Sequence, residues 1–157
     1  MHIAPFDNQN CAIVDIEDDT VPLNYFNIVT LTKGQAFEYQ VPGYETCIAP
    51  ATGTVDVEIE GFKVASLGGR VEDVWGGEPE GVYVPSGAKA VMVCLSDTAE
   101  VFVAGAKFDQ VLDPFAVRAD EVVAQAELLP HDSAAPRVDG GRPKSGTRRK
   151  EASEQGD

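Results

Sequence analysis

Histidine is almost missing from this 157-residue chain. Only His2 and His131 occur, one at the extreme N-terminus and one in a polar tail. No three-histidine metal centre can be assembled from one copy, and no Ser-His-Asp triad can form within the part that reads as folded. Cysteine is scarce too. Cys11, Cys47 and Cys94 are an odd number, far apart, with no CxxC spacing. That is a poor disulfide framework and a poor zinc site, so the three read as free thiols, buried or partly buried. Basic residues are few: 12 Lys and Arg stand against 26 Asp and Glu, a net charge of −14. Such a balance repels phosphate and argues against nucleic acid as a general partner. There is no apolar run of about 18 residues and no basic-then-apolar N-terminus. The expectation is a soluble, cytoplasmic protein with no membrane partner.

What is present is a series of short apolar runs. They are "YFNIVTLT" (25–32), "QAFEYQV" (35–41), "TCIAPA" (46–51), "TVDVEIE" (54–60), "FKVASL" (62–67), "GVYVP" (81–85), "KAVMVCL" (89–95) and "EVFVAGAKF" (100–108). Gly and Pro breakers lie between them. Even spacing of this kind predicts an all-β sandwich or barrel of about eight strands over 26–112. "TVDVEIE" alternates strictly, with Val55, Val57 and Ile59 on one face and Asp56, Glu58 and Glu60 on the other. That is a strand with one wet face. "AVMVCL" is apolar on both faces, with Val91, Val93 and Leu95 on one and Ala90, Met92 and Cys94 on the other; one face is expected to line the interior and the other to meet another layer or another subunit.

Four segments follow: an N-terminal stretch (1–25), a β-barrel (26–115), an exit segment with a short helix (116–130) and a tail (131–157). "ADEVVAQAEL" (119–128) suits the helix. The tail holds six of the 12 basic residues and lacks the apolar content to offset ordering entropy, so it is expected to be disordered. The first 130 residues carry 6 basic and 21 acidic residues, a net of −15.

Gly34, the Pro42-Gly43 turn, Gly53 and the "PSG" turn at 85–87 resemble the cupin barrel, a jelly roll whose two motifs can be laid on the chain. Counting five residues from Gly34 puts Gln40 and Pro42 in the two histidine positions. Thr46 then stands where a glutamate would, and Gly53 closes the motif. In the second motif, Pro85, Gly87 and Ala90 fill Pro-x-Gly-x-x-His. The turn residues are kept while all four ligand positions, Gln40, Pro42, Thr46 and Ala90, hold something else. The reading is a single antiparallel cupin barrel with vestigial ligand positions clustered in its interior and no cofactor of its own.

A longer resemblance covers residues 26–123. The Gly34 turn, "ETC" (45–47), "GTVDVEIEG" (53–61), "LGGR" (67–70), "VWGGEPEGVYVPSG" (74–87), "AEVFVAGA" (99–106) and "PFAVRADEV" (114–122) follow in one order. Together they resemble the N-terminal half of bacterial 5-deoxy-glucuronate isomerase, an enzyme of inositol catabolism related to the 5-keto-4-deoxyuronate isomerases. The resemblance implies a double-cupin family whose N-terminal barrel lacks metal ligands and whose C-terminal barrel carries them with the chemistry. The sequence ends before a second barrel, so the expected role is the non-catalytic half.

The family reaction, 5-deoxy-glucuronate to 5-dehydro-2-deoxygluconate, moves a proton between adjacent carbons while a carbonyl is polarised. It needs a base and a Lewis acid or hydrogen-bond donors. The candidates here are Glu45 as base, with Tyr83 and Arg70 as donors. Each also has an ordinary role open to it: a turn cap, a packed ring, a partner for nearby acids. The expected partners are a second cupin barrel or another copy, and a sugar-acid ligand. The alternative reading is a stand-alone metal-free cupin acting as a binding or oligomerisation module.

Overall fold

The computed structural model describes residues 8–122. Within them lie nine strands: β1 (Asn24–Thr32), β2 (Ala36–Gln40), β3 (Tyr44–Thr52), β4 (Thr54–Ile59), β5 (Phe62–Gly68), β6 (Gly81–Val84), β7 (Lys89–Cys94), β8 (Thr98–Lys107) and β9 (Phe115–Val117). All pair antiparallel, in two sheets ordered β1-β8-β3-β6-β9 and β2-β7-β4-β5.

The eight apolar runs of the sequence become β1 to β8. β9 is additional, straddling the expected boundary between barrel and exit segment at residues 115 and 116. Its three residues follow Pro114 and are too few to show a period-2 pattern. A helical turn spans 119–122. The rest of the expected helix and the expected disordered tail lie outside the described residues.

Side-chain alternation builds the core. Val55, Val57 and Ile59 of β4 point inward with Ala90, Met92 and Cys94 of β7, while Val29 and Leu31 of β1 and Val101 and Val103 of β8 come from the other sheet. Leu31, Ile48, Ile59, Leu67 and Met92 fill the middle. Pro42 and Gly43 turn the chain from β2 into β3. Gly43 has φ +76°, and the N–H of Tyr44 donates to the carbonyl of Val41 at 3.2 Å. Proline followed by a positive-φ glycine is the residue choice of a type II turn.

The N-terminal segment also has a structural role. The N–H of Val14 donates to the carbonyl of Phe26, and that of Phe26 to the carbonyl of Val14. The side chain of Asn10 bonds both backbone groups of Thr30, accepting at 2.7 Å and donating at 3.1 Å. Residues 10–14 therefore occupy the open edge of β1 as a strand would. Asn27, buried on β1, receives a bond from Asn8 at 2.8 Å and donates to the carbonyl of Asn10 at 2.9 Å.

Candidate functional site

The four positions expected to be vestigial ligands do not share one environment. Thr46 and Ala90 are buried in the barrel. Gln40 and Pro42 are exposed, Pro42 in the turn and Gln40 donating to the carbonyl of Gly87 at 2.8 Å. The register explains the correction. β2 pairs with β7 so that Tyr39 lies opposite Ala90 and Gln40 opposite Lys89. Because Ala90 points inward, so does Tyr39, and a one-residue shift exchanges every side chain between faces. The inward set is therefore Tyr39, Val41, Thr46 and Ala90, all buried.

Two of the four are joined directly. The hydroxyls of Tyr39 and Thr46 lie 2.7 Å apart, one donating to the other. Burial pushes the Tyr39 phenol well above its ordinary range, and the bond to Thr46 only partly offsets this. Gly105 on β8 makes the room: a Cβ there would lie 2.8 Å from the methyl of Thr46 and 2.6 Å from the carbonyl oxygen of Glu45. A neutral phenol, a hydroxyl and two aliphatic groups are a poor donor set for a divalent transition metal, which favours imidazole, thiolate or carboxylate. The residues present do not fit the metal that the fold would hold here. Among the described residues, no three His, Cys, Asp or Glu come together in a way that could bind a metal ion.

The three catalytic candidates are split between two places, neither inside the barrel. The Tyr83 hydroxyl donates to Glu45 Oε2 at 2.8 Å on the outer face of the five-stranded sheet. Desolvation, then the bond to Glu45, pushes the Tyr83 phenol up to about 12. A phenol held this way keeps its proton and is a weak general acid. Arg70 lies elsewhere, donating to the carbonyl of Gly77 at 3.0 Å and bordering a separate depression with Gly53, Ser96 and Thr98.

Sequence reasoning missed a cluster around Arg118. Its guanidinium bonds Glu80 at 3.0 Å and the carbonyls of Ala65 and Ser66 at 2.7 and 3.2 Å. Burial works against the charged form of Glu80. The N–H groups of Gly68 and Ala119 and the Arg118 guanidinium together outweigh it, so its carboxyl titrates below the ordinary range. The cluster ties β5 to the chain leaving β9, a structural duty for a charged pair. Of the three thiols, Cys94 is buried, while Cys11 and Cys47 are exposed, against the expectation that all three would be buried or partly buried.

The KduI/IolB family model matches residues 2–127. The chain belongs to the KduI/IolB family. No curated protein matches its sequence. Among solved structures, an IolB-like protein of Salmonella typhimurium LT2 overlaps with a TM-score of 0.63 at 18% identity, covering 69% of this chain and 41% of that one. A cupin protein of Bacteroides fragilis overlaps at 0.47 with 16% identity, covering 72% and 86%. The cupin domain of Schizosaccharomyces pombe Cnp3 does so at 0.46 with 10% identity, covering 63% and 60%. The two antiparallel sheets form the cupin barrel predicted from the turn residues. This KduI/IolB chain spans less than half the length of the IolB-like protein. Among its described residues, no helix is long and apolar enough to cross a membrane.

Proposed function

We propose that this chain is the non-catalytic cupin half of a KduI/IolB-type isomerase acting on a deoxy sugar acid, with 5-deoxy-glucuronate of inositol catabolism as the substrate of the assembled system. The observation carrying this reading is the inward set Tyr39, Val41, Thr46 and Ala90, which fills the ligand positions with groups unsuited to a metal. Electrostatics points the same way. The first 130 residues carry a net charge of −15, which repels a carboxylated sugar. Both cations best placed to offset it, Arg70 and Arg118, are already engaged with protein oxygens. The exposed thiols of Cys11 and Cys47 suit a reducing, cytoplasmic setting.

In this role the barrel supplies a rigid scaffold, and the proton transfer belongs to a barrel bearing imidazole and carboxylate ligands. The test incubates the purified chain with 5-deoxy-glucuronate, with and without manganese. It is then repeated with a ligand-bearing cupin of the same family added. The expected result is no conversion by the chain alone and faster conversion by the mixture than by the added cupin. Conversion by the chain alone overturns the reading.

A second reading, a stand-alone metal-free cupin acting as a binding or oligomerisation module, is favoured by the outer face of the five-stranded sheet, where Phe26, Ala104, Cys47, Tyr83 and Phe115 form one row across all five strands.

A further inference from the structure

Along one side of the barrel, β5 of the four-stranded sheet borders β6 and β9 of the other. Among the described residues, no backbone ladder crosses this seam. β9 is the slightest element beside it. It pairs only with β6, setting Val117 opposite Gly81, Ala116 opposite Val82 and Phe115 opposite Tyr83. The side chain it turns toward the core is Ala116, which is small and only partly buried. Its neighbours are anchored far better: Leu67 on β5 and Val82 and Val84 on β6 are fully buried. Apolar burial is the main force fixing a strand to a core, and β9 has little of it.

Two side-chain contacts hold β9 instead, one toward each end. At its start, the rings of Phe115 and Tyr83 stack with centroids 5.1 Å apart. Just past its end, Arg118 reaches across the seam to Glu80 and to the carbonyls of Ala65 and Ser66 on β5. Glu80 completes the clasp, accepting from the N–H of Gly68 at 2.8 Å and from that of Ala119 at 3.2 Å. The N–H of Arg118 donates to Glu121 at 2.9 Å, which ties the helical turn at 119–122 to the same clasp. Glu80 and Arg118 thereby occupy backbone groups of three β5 residues, 65, 66 and 68. Freeing β9 would release these groups and those of β6 into water, where they keep hydrogen bonds, and would uncover little of the core.

We infer that β9 and residues 118–122 open and close as one latch over the seam between the sheets, with the Glu80–Arg118 clasp at one end and the Tyr83–Phe115 stack at the other, while the rest of the barrel stays folded. The latch goes beyond the functional reading and does not depend on turnover. Closed, it hides the outer edges of β5 and β6, so its opening controls whether those two edges can pair with another strand.

Amide hydrogen exchange of the full chain at neutral pH, followed by NMR, tests it. In the wild type, Gly68, Ala119 and the ladder amides within 81–83 and 115–117 should share one level of protection, about 100-fold or more below that of the β1, β3 and β8 ladders. Each substitution should then be felt at the opposite end. Phe115→Ala should speed exchange at Gly68 and Ala119 about 10-fold, and Arg118→Ala should do the same for the β6–β9 ladder, as expected for losing one stacked or hydrogen-bonded contact. Thermal melts check that both variants fold. Phe115→Ala alters an exposed side chain and decides the question alone if Arg118→Ala does not fold. Gly68 and the β6–β9 ladder exchanging as slowly as β1, β3 and β8 would overturn the inference, because β9 then leaves only with the whole barrel. Exchange at Gly68 that ignores Phe115→Ala overturns it as well, since the two ends then open separately.

Discussion

Tyr39 and Thr46 meet inside the barrel with their hydroxyl oxygens 2.7 Å apart, in the space where a metal-binding cupin places its ligands. Neither hydroxyl has water to fall back on, since both residues are buried. The pair therefore holds β2 to β3 across the core, and each partner depends on the other.

Tyr39→Phe keeps the ring and removes one oxygen. It leaves the Thr46 hydroxyl buried with its partner gone, at an expected loss of about 1–3 kcal/mol. Urea unfolding of the two proteins measures it. An unchanged midpoint would mean that the bond contributes nothing.

The register correction makes an ordered prediction. Ala90→His forces an imidazole into a filled interior opposite Tyr39 and should cost about 2 kcal/mol or more. Gln40→His replaces an exposed side chain and should stay within about 0.5 kcal/mol of wild type. If Gln40→His is the more damaging, β2 faces the other way.

Glu80 links stability to pH. Its folded pKa is depressed, so its contribution is complete above the unfolded glutamate value of about 4.3. The contribution is lost as pH falls through the lower folded value. Arg118→Ala removes one cause of the depression along with the bonds to Ala65 and Ser66. It should cost about 1–2 kcal/mol at neutral pH, with a smaller penalty below the folded pKa. Denaturation across pH 3 to 7, roughly the window in which carboxylates titrate, checks the convergence of the two curves. A constant gap would assign the whole effect to the carbonyl bonds.

Trp75 is the only tryptophan and is 88% exposed, in the loop between β5 and β6. Its fluorescence in the native protein should already resemble that of indole in water, with acrylamide quenching close to that of the unfolded chain. Trp75→Ala should shift stability by no more than about 0.5 kcal/mol. Strong protection from quencher in the native protein would place this ring against a surface instead.

Strand positions and the wet face of β4 were legible because period-2 alternation and Gly or Pro turns are local signals. The interior placement of Thr46 and Ala90 was legible from counting along the turns. The face of β2 was not. Counting from Gly34 fixes a position only to within the length of the intervening turn, and one residue exchanges Gln40 for Tyr39. Arg118 and Glu80 are far apart in sequence, and nothing in either neighbourhood marks the other. The apolar outer row was hidden for the same reason. Its five residues come from five strands, and only the pairing order lines them up.

The pairing order also sets a timetable for synthesis. β8 lies between β1 and β3, so neither strand has that neighbour until Lys107 has been made. At about 5–20 residues per second, the stretch from Thr52 to Lys107 takes roughly 3–10 s to translate. Throughout that interval the nascent chain carries two apolar strands with open flanks. Residues 10–14 can already shield the far side of β1, because they emerge before it does. The segment that borders the first strand in the folded barrel is thus made before that strand, whereas the strand's other neighbour, β8, comes long after it.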